Sequence, residues 1–255
     1  MFQEEYQSVA KAAGAKVALL KNNPIGYFLL STLAGIYIGF GILLIFSIGG
    51  MLIGQPYAKI IMGVSFGIAL SLVVMAGAEL FTGNNLVIVA GLMKKTIGLA
   101  DGLKVWGICY IGNLAGSVIL ASLFYYSGLS KGAIGEFIAS VSATKMGIPF
   151  VPLLLRGILC NILVCLGVWC GTKLKSESGK LIMIFWCLFA FITSGFEHSI
   201  ANMTLLTISL FDPCGQAVSL GGYIYNLVTV TVGNMIGGIA FVALPYYLAS
   251  KNKED

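Results

Sequence analysis

Long apolar runs alternate with short polar segments along the whole chain. A membrane-spanning helix needs about 20 consecutive, mainly apolar residues, and each run is long enough to supply one crossing. The pattern therefore predicts an all-α membrane protein with six transmembrane helices in one domain over residues 1–255. The runs cover residues 25–49, 60–92, 103–126, 149–171, 181–210 and 223–249.

Composition agrees with this pattern. Hydrophobic residues make up 58% of the chain and charged residues 10%, whereas about a quarter of the residues in a soluble domain are charged. The 6 cysteines fall mainly inside the apolar runs and lack the paired CxxC spacing of metal or redox sites. We therefore expect a lipid bilayer as the surroundings, and no cofactor, metal or nucleic-acid partner.

Residues 1–24 mix small apolar residues with lysines, which is typical of a short helix on a membrane surface. Asn23 and Pro24 should end this helix. With the N-terminus in the cytoplasm, all but four of the 15 lysine and arginine residues face the cytoplasm, as the positive-inside rule favours. The sequence thus predicts a multi-pass protein of the cytoplasmic membrane with both termini inside, and its longest outer loop at 127–148.

Two motifs recur in the same order along the chain. Segments 79–84 and 197–202 each begin with glutamate and end with asparagine, 118 positions apart. Segments 112–116 and 233–237 share a Gly-Asn-x-x-Gly pattern, 121 positions apart. Two matched landmarks in one order indicate an internal repeat.

The repeats predicted from these motifs cover residues 25–126 and 149–249. Each holds three crossings, an odd number, so the two halves should have opposite orientations in the membrane. The second and fifth runs are too long for one straight crossing, and both carry small and polar residues beside a glutamate. This predicts broken helices whose open ends line a solute path, as in transporters with inverted repeats.

The chain's only histidine, His198, lies beside Glu197 in the fifth run. Ionisable residues at bilayer depth are costly, so they are by default candidates for function. From the residues alone, a buried histidine satisfied by its neighbours is an equally good interpretation.

Three segments resemble the signatures of the formate/nitrite transporter family. They are VMAGAELFTG at 74–83, GILCNILVCL at 157–166 and FEHSIANM at 196–203, accompanied by the two Gly-Asn motifs. The resemblance implies an aquaporin-like fold, a homopentamer with one pore in each protomer, and passage of small monovalent anions such as formate, nitrite, lactate or hydrosulfide. Within the family, the chain looks most like the hydrosulfide channels.

The resemblance makes His198 the central pore histidine, able to donate a hydrogen bond or lend a proton to an anion. Thr82 becomes its companion, with a helix-capping role as the alternative. Leu80 and Phe191 match the family's apolar constriction, and Lys145 matches a lysine that concentrates anions at the outer mouth. Further apolar rings are expected from Leu70, Phe66 and Val164, and a similar cytoplasmic role for Lys16.

Carboxylates in the path would repel an anion. Glu79 and Glu197 are therefore predicted to accept backbone N–H groups at the helix breaks, with Asn84 and Asn202 beside them. Asn161 and Asn234 are candidate bridges around the pore, and simple polar packing explains them equally well.

Two other functions need weighing. A neutral-solute channel of the aquaporin type would call for two Asn-Pro-Ala motifs, and the single Asn-Pro lies outside the apolar runs at residues 23–24. An intramembrane hydrolase would use Glu197 and His198, but one histidine without an HExxH motif offers no metal site. We therefore expect a transport protein rather than an enzyme.

Overall fold

The computed structural model describes residues 2–251, and its regular elements are all helical. The all-α prediction is confirmed. Residues 1 and 252–255 of the predicted domain lie outside the described residues. The α-helices are α1 (Gln3–Asn22), α2 (Pro24–Met51), α3 (Ala58–Ser65), α4 (Ile68–Leu72), α5 (Phe81–Met93), α6 (Leu99–Tyr126), α7 (Ala133–Met146), α8 (Phe150–Lys173), α9 (Glu177–Ser194), α10 (Ser199–Phe211), α11 (Leu220–Gly238) and α12 (Leu244–Ser250), with π-helical turns at Val73–Gly77 and Ile239–Ala243.

Six helical stretches within residues 2–251 are long and apolar enough to cross a membrane. This confirms the six predicted crossings, and the chain is a multi-pass membrane protein. The two remaining apolar helices, α5 and α10, are too short to cross alone. The six stretches are Pro24–Met51, Ala58–Gly77, Leu99–Tyr126, Phe150–Lys173, Glu177–Ser194 and Leu220–Ser250.

Both predicted helix breaks are present. The chain leaves the helix at Gly77 (φ 79°) and at Gly195 (φ 81°), in the left-handed region that glycine enters at little cost. It then runs without helix over residues 78–80 and 196–198 before α5 and α10 begin. The second and fifth runs are therefore each divided into two helical parts, at equivalent positions.

Close glycine contacts pair the long helices in each half. A Cβ atom at Gly116 of α6 would overlap the carbonyl oxygen of Thr32 on α2. A Cβ atom at Gly237 of α11 would overlap the carbonyl oxygen of Ile158 on α8. Small residues allow such backbone approach, which favours helix association in lipid. The pairs α2–α6 and α8–α11 thus form two equivalent walls.

The N-terminal helix α1 is present, and it ends where the sequence predicts. Asn23 accepts the backbone N–H of Gly26 at 2.8 Å and so caps α2, with Pro24 in its first turn. One face of α1 is buried, and the hydroxyl of Thr96 donates to the carbonyl of Ala10 at 2.8 Å. The apolar face that suggested a membrane-surface helix therefore packs on protein.

The segment 127–148, expected as the longest outer loop, is not an irregular loop, because most of it forms α7. Its buried residues recur at helical spacing, from Gly135 through Ile138, Ala139 and Ser142. The hydroxyl of Ser209 on α10 donates to the Ser142 hydroxyl at 2.6 Å. Packing against α10 thus stabilises a helix that is too short to cross a membrane.

Candidate functional site: a pore between two helix breaks

Asn113 of α6 holds the first break together. Its Oδ1 accepts the backbone N–H of Phe81 at 2.9 Å. Its Nδ2 donates to the carbonyl oxygens of Ser31 at 2.7 Å and Glu79 at 2.8 Å. A helix N-terminus leaves N–H groups unpaired, and burying them without partners is costly. One amide side chain therefore satisfies the start of α5 and ties it to α2.

Asn234 of α11 makes the same three bonds at the second break. Its Oδ1 accepts the N–H of Ser199 at 2.9 Å, and its Nδ2 donates to the carbonyls of Gly157 at 2.8 Å and Glu197 at 3.0 Å. The asparagines of the two Gly-Asn motifs thus make equivalent hydrogen bonds at the helix breaks of the two halves. Of the two roles considered for Asn234, these contacts favour structural bridging.

Glu79 in the first break is paired with a lysine from α1. The Nζ atom of Lys16 lies 2.5 and 2.6 Å from the two carboxylate oxygens. The Nδ2 group of Asn84 donates to the same carboxylate at 3.3 Å. The Lys16 and Glu79 side chains are 19% and 11% exposed, so this is a partly buried pair whose charges balance.

Glu197 in the second break has an equivalent set of partners. The Nζ atom of Lys145, near the end of α7, lies 2.7 Å from both carboxylate oxygens. Asn202 donates to the carboxylate at 2.7 Å and also to Oδ1 of Asn226 at 2.8 Å. Asn226 in turn donates to the carbonyl of Lys145 at 3.0 Å. Sequence reasoning missed Asn226, whose only signal is an amide inside the sixth apolar run.

The prediction that the two glutamates accept backbone N–H groups is wrong. The first N–H groups of α5 and α10 already donate to Asn113 and Asn234. A lysine ammonium offers the carboxylate a full positive charge and stronger, charge-assisted hydrogen bonds. Both glutamates therefore pair with lysines, which also means that Lys16 and Lys145 bring no net charge of their own.

His198 caps α10 and so has a defined tautomer. Its Nδ1 accepts the backbone N–H of Ala201 at 3.1 Å, and the proton of a neutral ring then resides on Nε2. Nε2 lies 2.9 Å from Oγ1 of Thr82, so the histidine donates and the hydroxyl accepts. A second proton on the ring would have to displace the cap.

Thr82 does not act as the N-cap of α5. It is the second residue of that helix, whose N-cap position, Leu80, provides no side-chain bond. Asn161 donates to the carbonyl of Thr82 at 3.3 Å and to the carbonyl of Asn234 at 2.7 Å. Asn161 therefore bridges two backbone carbonyls, that of Thr82 on α5 and that of Asn234 on α11.

A chamber of about 10 Å³, room for about one water molecule, lies between the two breaks. Among the residues that the structure describes, His198 is its only polar lining residue. The rings of Phe66 and Phe191 meet edge to face at 5.4 Å, and the rings of Phe191 and His198 stack at 6.0 Å between centroids. The lining comprises Ile38, Phe66, Leu70, Leu80, Val164, Leu188, Phe191 and His198, which includes the five predicted apolar residues.

Most of the chamber lining comes in pairs from equivalent positions of the two halves. Leu80 and His198 are both N-cap residues, of α5 and α10 respectively. Sequence reasoning missed Ile38 and Leu188, although the 118-residue offset of the repeat could have identified Leu188 as the counterpart of Leu70. The pairs are Ile38 with Val164, Leu70 with Leu188, and Leu80 with His198.

Two wider cavities adjoin the chamber. The Lys145 vestibule, of about 490 Å³, includes Lys145, Glu197 and Asn202, and it shares Phe191 and His198 with the chamber. The Lys16 vestibule, of about 350 Å³, includes Lys16, Glu79 and Asn84, and it shares Leu70 and Leu80 with the chamber. The three cavities therefore follow one another, and the side chains at each junction belong to the predicted constriction.

A narrow apolar chamber between two vestibules, inside a bundle of membrane-crossing helices, defines a membrane transport protein of the channel type. The chain belongs to the formate/nitrite transporter family, whose sequence model matches residues 3–248. It is 40% identical to the nitrite transporter NirC of Salmonella typhimurium, over 100% of this chain and 94% of that protein. It is also 40% identical to NirC of Escherichia coli, over 98% and 93% of the two chains.

Solved structures show the same fold. A structure described as an FNT family ion channel superposes with a TM-score of 0.93 at 38% identity, covering 98% of this chain and 100% of that one. A structure described as a pentameric formate channel with formate bound superposes with a TM-score of 0.80 at 30% identity, covering 90% and 98%. The family expectation from the sequence motifs is therefore confirmed.

Proposed function

We propose that this protein passes small monovalent weak-acid anions, namely hydrosulfide, formate or nitrite, across the cytoplasmic membrane. One observation carries the proposal. The two vestibules meet at an apolar chamber that offers a single hydrogen-bond donor, His198. A chamber of this size and character discriminates against large or strongly hydrated solutes, and the names of the relatives point to the same class of substrate.

The chamber sets the energetic problem of transport. A bare anion is expensive in apolar surroundings unless hydrogen bonds or a proton compensate for the lost water. In this structure, Nε2–H of His198 donates to the Thr82 hydroxyl. An anion that enters the chamber takes this hydrogen bond, and the released hydroxyl of Thr82 becomes a second donor nearby.

The histidine tautomer also restricts proton transfer. Nδ1 is occupied by the N–H of Ala201, so His198 carries one proton and would become an imidazolate if it gave that proton away. His198 therefore acts as a hydrogen-bond donor rather than as an acid. A weak-acid solute that crosses in its neutral form takes its proton from water in a vestibule.

Glu197 and His198 do not act as a catalytic pair in this proposal. The carboxylate is bonded to Lys145 and Asn202, whereas the imidazole is bonded to Ala201 and Thr82. Adjacent residues thus belong to separate networks. The family and its solved members are transporters and channels, which supports transport without chemistry.

The proposed arrangement has the two halves in opposite orientations, with both termini and the Lys16 vestibule in the cytoplasm. The matched breaks and asparagine networks support the repeat, and the positive-inside rule supports the sidedness. We further propose a homopentamer with one pore in each protomer. This chain aligns with 98% of a channel that is described as pentameric.

Flux in liposomes tests the proposal. Formate and nitrite should enter liposomes that contain the purified protein much faster than chloride, at several pH values. Because undissociated hydrogen sulfide crosses lipid unaided, hydrosulfide should be measured at alkaline pH against protein-free liposomes. Chloride flux equal to formate flux, or water permeability without anion permeability, would contradict the proposal.

A further inference from the structure

The two vestibules differ in net charge. In the Lys145 vestibule, Lys145 and Glu197 balance each other, but Lys59 and Arg156 also line the cavity. In the Lys16 vestibule, the balanced pair provides the only charges among the described lining residues. Within residues 2–251, neither Lys59 nor Arg156 makes an ion pair. Two positive charges therefore remain on one side of the pore.

Lys59 is positioned at the second break itself. It is the second residue of α3, and its Nζ atom lies 3.0 Å from the point where a Cβ atom would stand at Gly195. The equivalent glycine of the first break, Gly77, has no described atom within 4 Å of that point. The position that matches Lys59 in the repeat is Glu177. The cation over the break therefore has no counterpart on the other side.

Arg156 is attached to the same break through its backbone. Its carbonyl oxygen accepts the N–H of Glu197 at 3.2 Å. In the first half, the carbonyl of Leu30 accepts the N–H of Glu79 at 3.1 Å, and Leu30 lines the Lys16 vestibule. The residue that makes this repeated backbone contact is thus arginine at the second break and leucine at the first.

We propose that Lys59 and Arg156 form an anion-capture site in the Lys145 vestibule, distinct from the Lys145–Glu197 pair. Its ligand is the small monovalent anion of the proposed function, on which this inference rests. Cations in a cleft with low-dielectric walls raise the local concentration of anions. Capture should therefore give tighter apparent binding from the Lys145 side than from the Lys16 side.

Detailed balance determines which kinetic constants can differ between the two sides of the pore. In a passive pore without a membrane potential, the ratio of maximal flux to KM is the same in both directions. Capture therefore lowers both KM and the maximal flux measured from the Lys145 side, relative to the Lys16 side. Because the two cations are exposed, added salt should weaken this difference.

Formate flux measured from each side tests the site, with right-side-out and inverted vesicles as the two preparations. The wild type should show a KM about three- to tenfold lower from the Lys145 side at low salt. The double variant K59M/R156M should raise this KM to the value of the other side and abolish its salt dependence. The charge-conserving variant K59R/R156K should retain the asymmetry.

Lys131 provides the matched control, because it is an exposed lysine just before α7 that does not line the vestibule. K131M should leave both KM values unchanged, with assembly verified for every variant. Equal KM values from the two sides of the wild type, or a KM that K59M/R156M does not change, would overturn the capture site. Absence of formate, nitrite and hydrosulfide flux in the wild type would instead refute the proposed function.

Discussion

Oγ1 of Thr82 and Nε2 of His198 lie 2.9 Å apart and connect the two helix breaks across the pore. The two residues are 116 positions apart in the chain, and each comes from the start of a short helix. Each break is held separately by its own asparagine and glutamate. In the proposed function, this bond between the pore-facing side chains of the two halves is the one that a solute replaces.

Replacing Thr82 by valine should lower formate flux about tenfold, which corresponds to the loss of one hydrogen bond of about 1.4 kcal/mol. Valine keeps the shape of threonine and removes the hydroxyl. Thr82→Ser should stay within about twofold of the wild type, because it keeps the hydroxyl. Initial flux per assembled protein measures both, and equal flux in the valine variant would argue against a role for the hydroxyl.

Two substitutions of His198 should separate its capping role from its pore role. Asparagine is a good N-cap residue but is too short to place a donor where Nε2 lies, so His198→Asn should retain stability and lose flux. His198→Leu, the residue present in the first half, should lose flux and also about 1 kcal/mol of stability. Thermal unfolding and formate flux should be measured on the same preparations.

A His198→Asn variant with wild-type flux would contradict the donor role. If His198→Leu were as stable as His198→Asn, the cap on α10 would be contributing little. These two outcomes are independent of each other.

The breaks could be predicted from the sequence because local chemistry determines them. In each half the helix ends at a glycine, and a glutamate and an asparagine follow at a fixed spacing. A Gly-Asn motif lies in the next crossing. The family signatures then identify His198 and Thr82. The direction of their hydrogen bond was not predictable, because it depends on the backbone N–H of Ala201.

The ion pairs were not predictable in the same way. Lys16 and Glu79 are 63 positions apart, and Lys145 and Glu197 are 52 apart. No spacing rule links them, since the contacts depend on how α1 and α7 pack against the breaks. The helix α7 was also not predicted. Its buried face is made mostly of small residues, so it lacks a strong apolar pattern.

Glycine packing between α2 and α6 should be sensitive to a single methyl group. Gly116→Ala should destabilise the protein by about 1–3 kcal/mol, because the new Cβ overlaps the carbonyl of Thr32 and the backbones must separate. Gly107 on the same helix has no described atom within 4 Å of its Cβ position. Gly107→Ala should therefore be neutral or stabilising by up to about 1 kcal/mol.

Thermal unfolding of the detergent-solubilised assembly compares the two variants. Equal unfolding midpoints for Gly116→Ala and Gly107→Ala would show that the close approach of α2 and α6 contributes nothing to stability.

Replacing Lys145 alone should destabilise the protein more than replacing Lys145 and Glu197 together. Lys145→Met leaves a carboxylate that is 3% exposed, with Asn202 as its remaining side-chain partner. An unpaired buried charge typically costs about 3–5 kcal/mol, and this one would also repel anions beside His198.

The double variant K145M/E197Q removes the charge as well as the lysine, so it should recover most of the stability and more of the formate flux than K145M. Thermal unfolding and flux on K145M, E197Q and the double variant complete the cycle. Strictly additive losses would mean that the two side chains act independently, in contradiction to the 2.7 Å contacts between them.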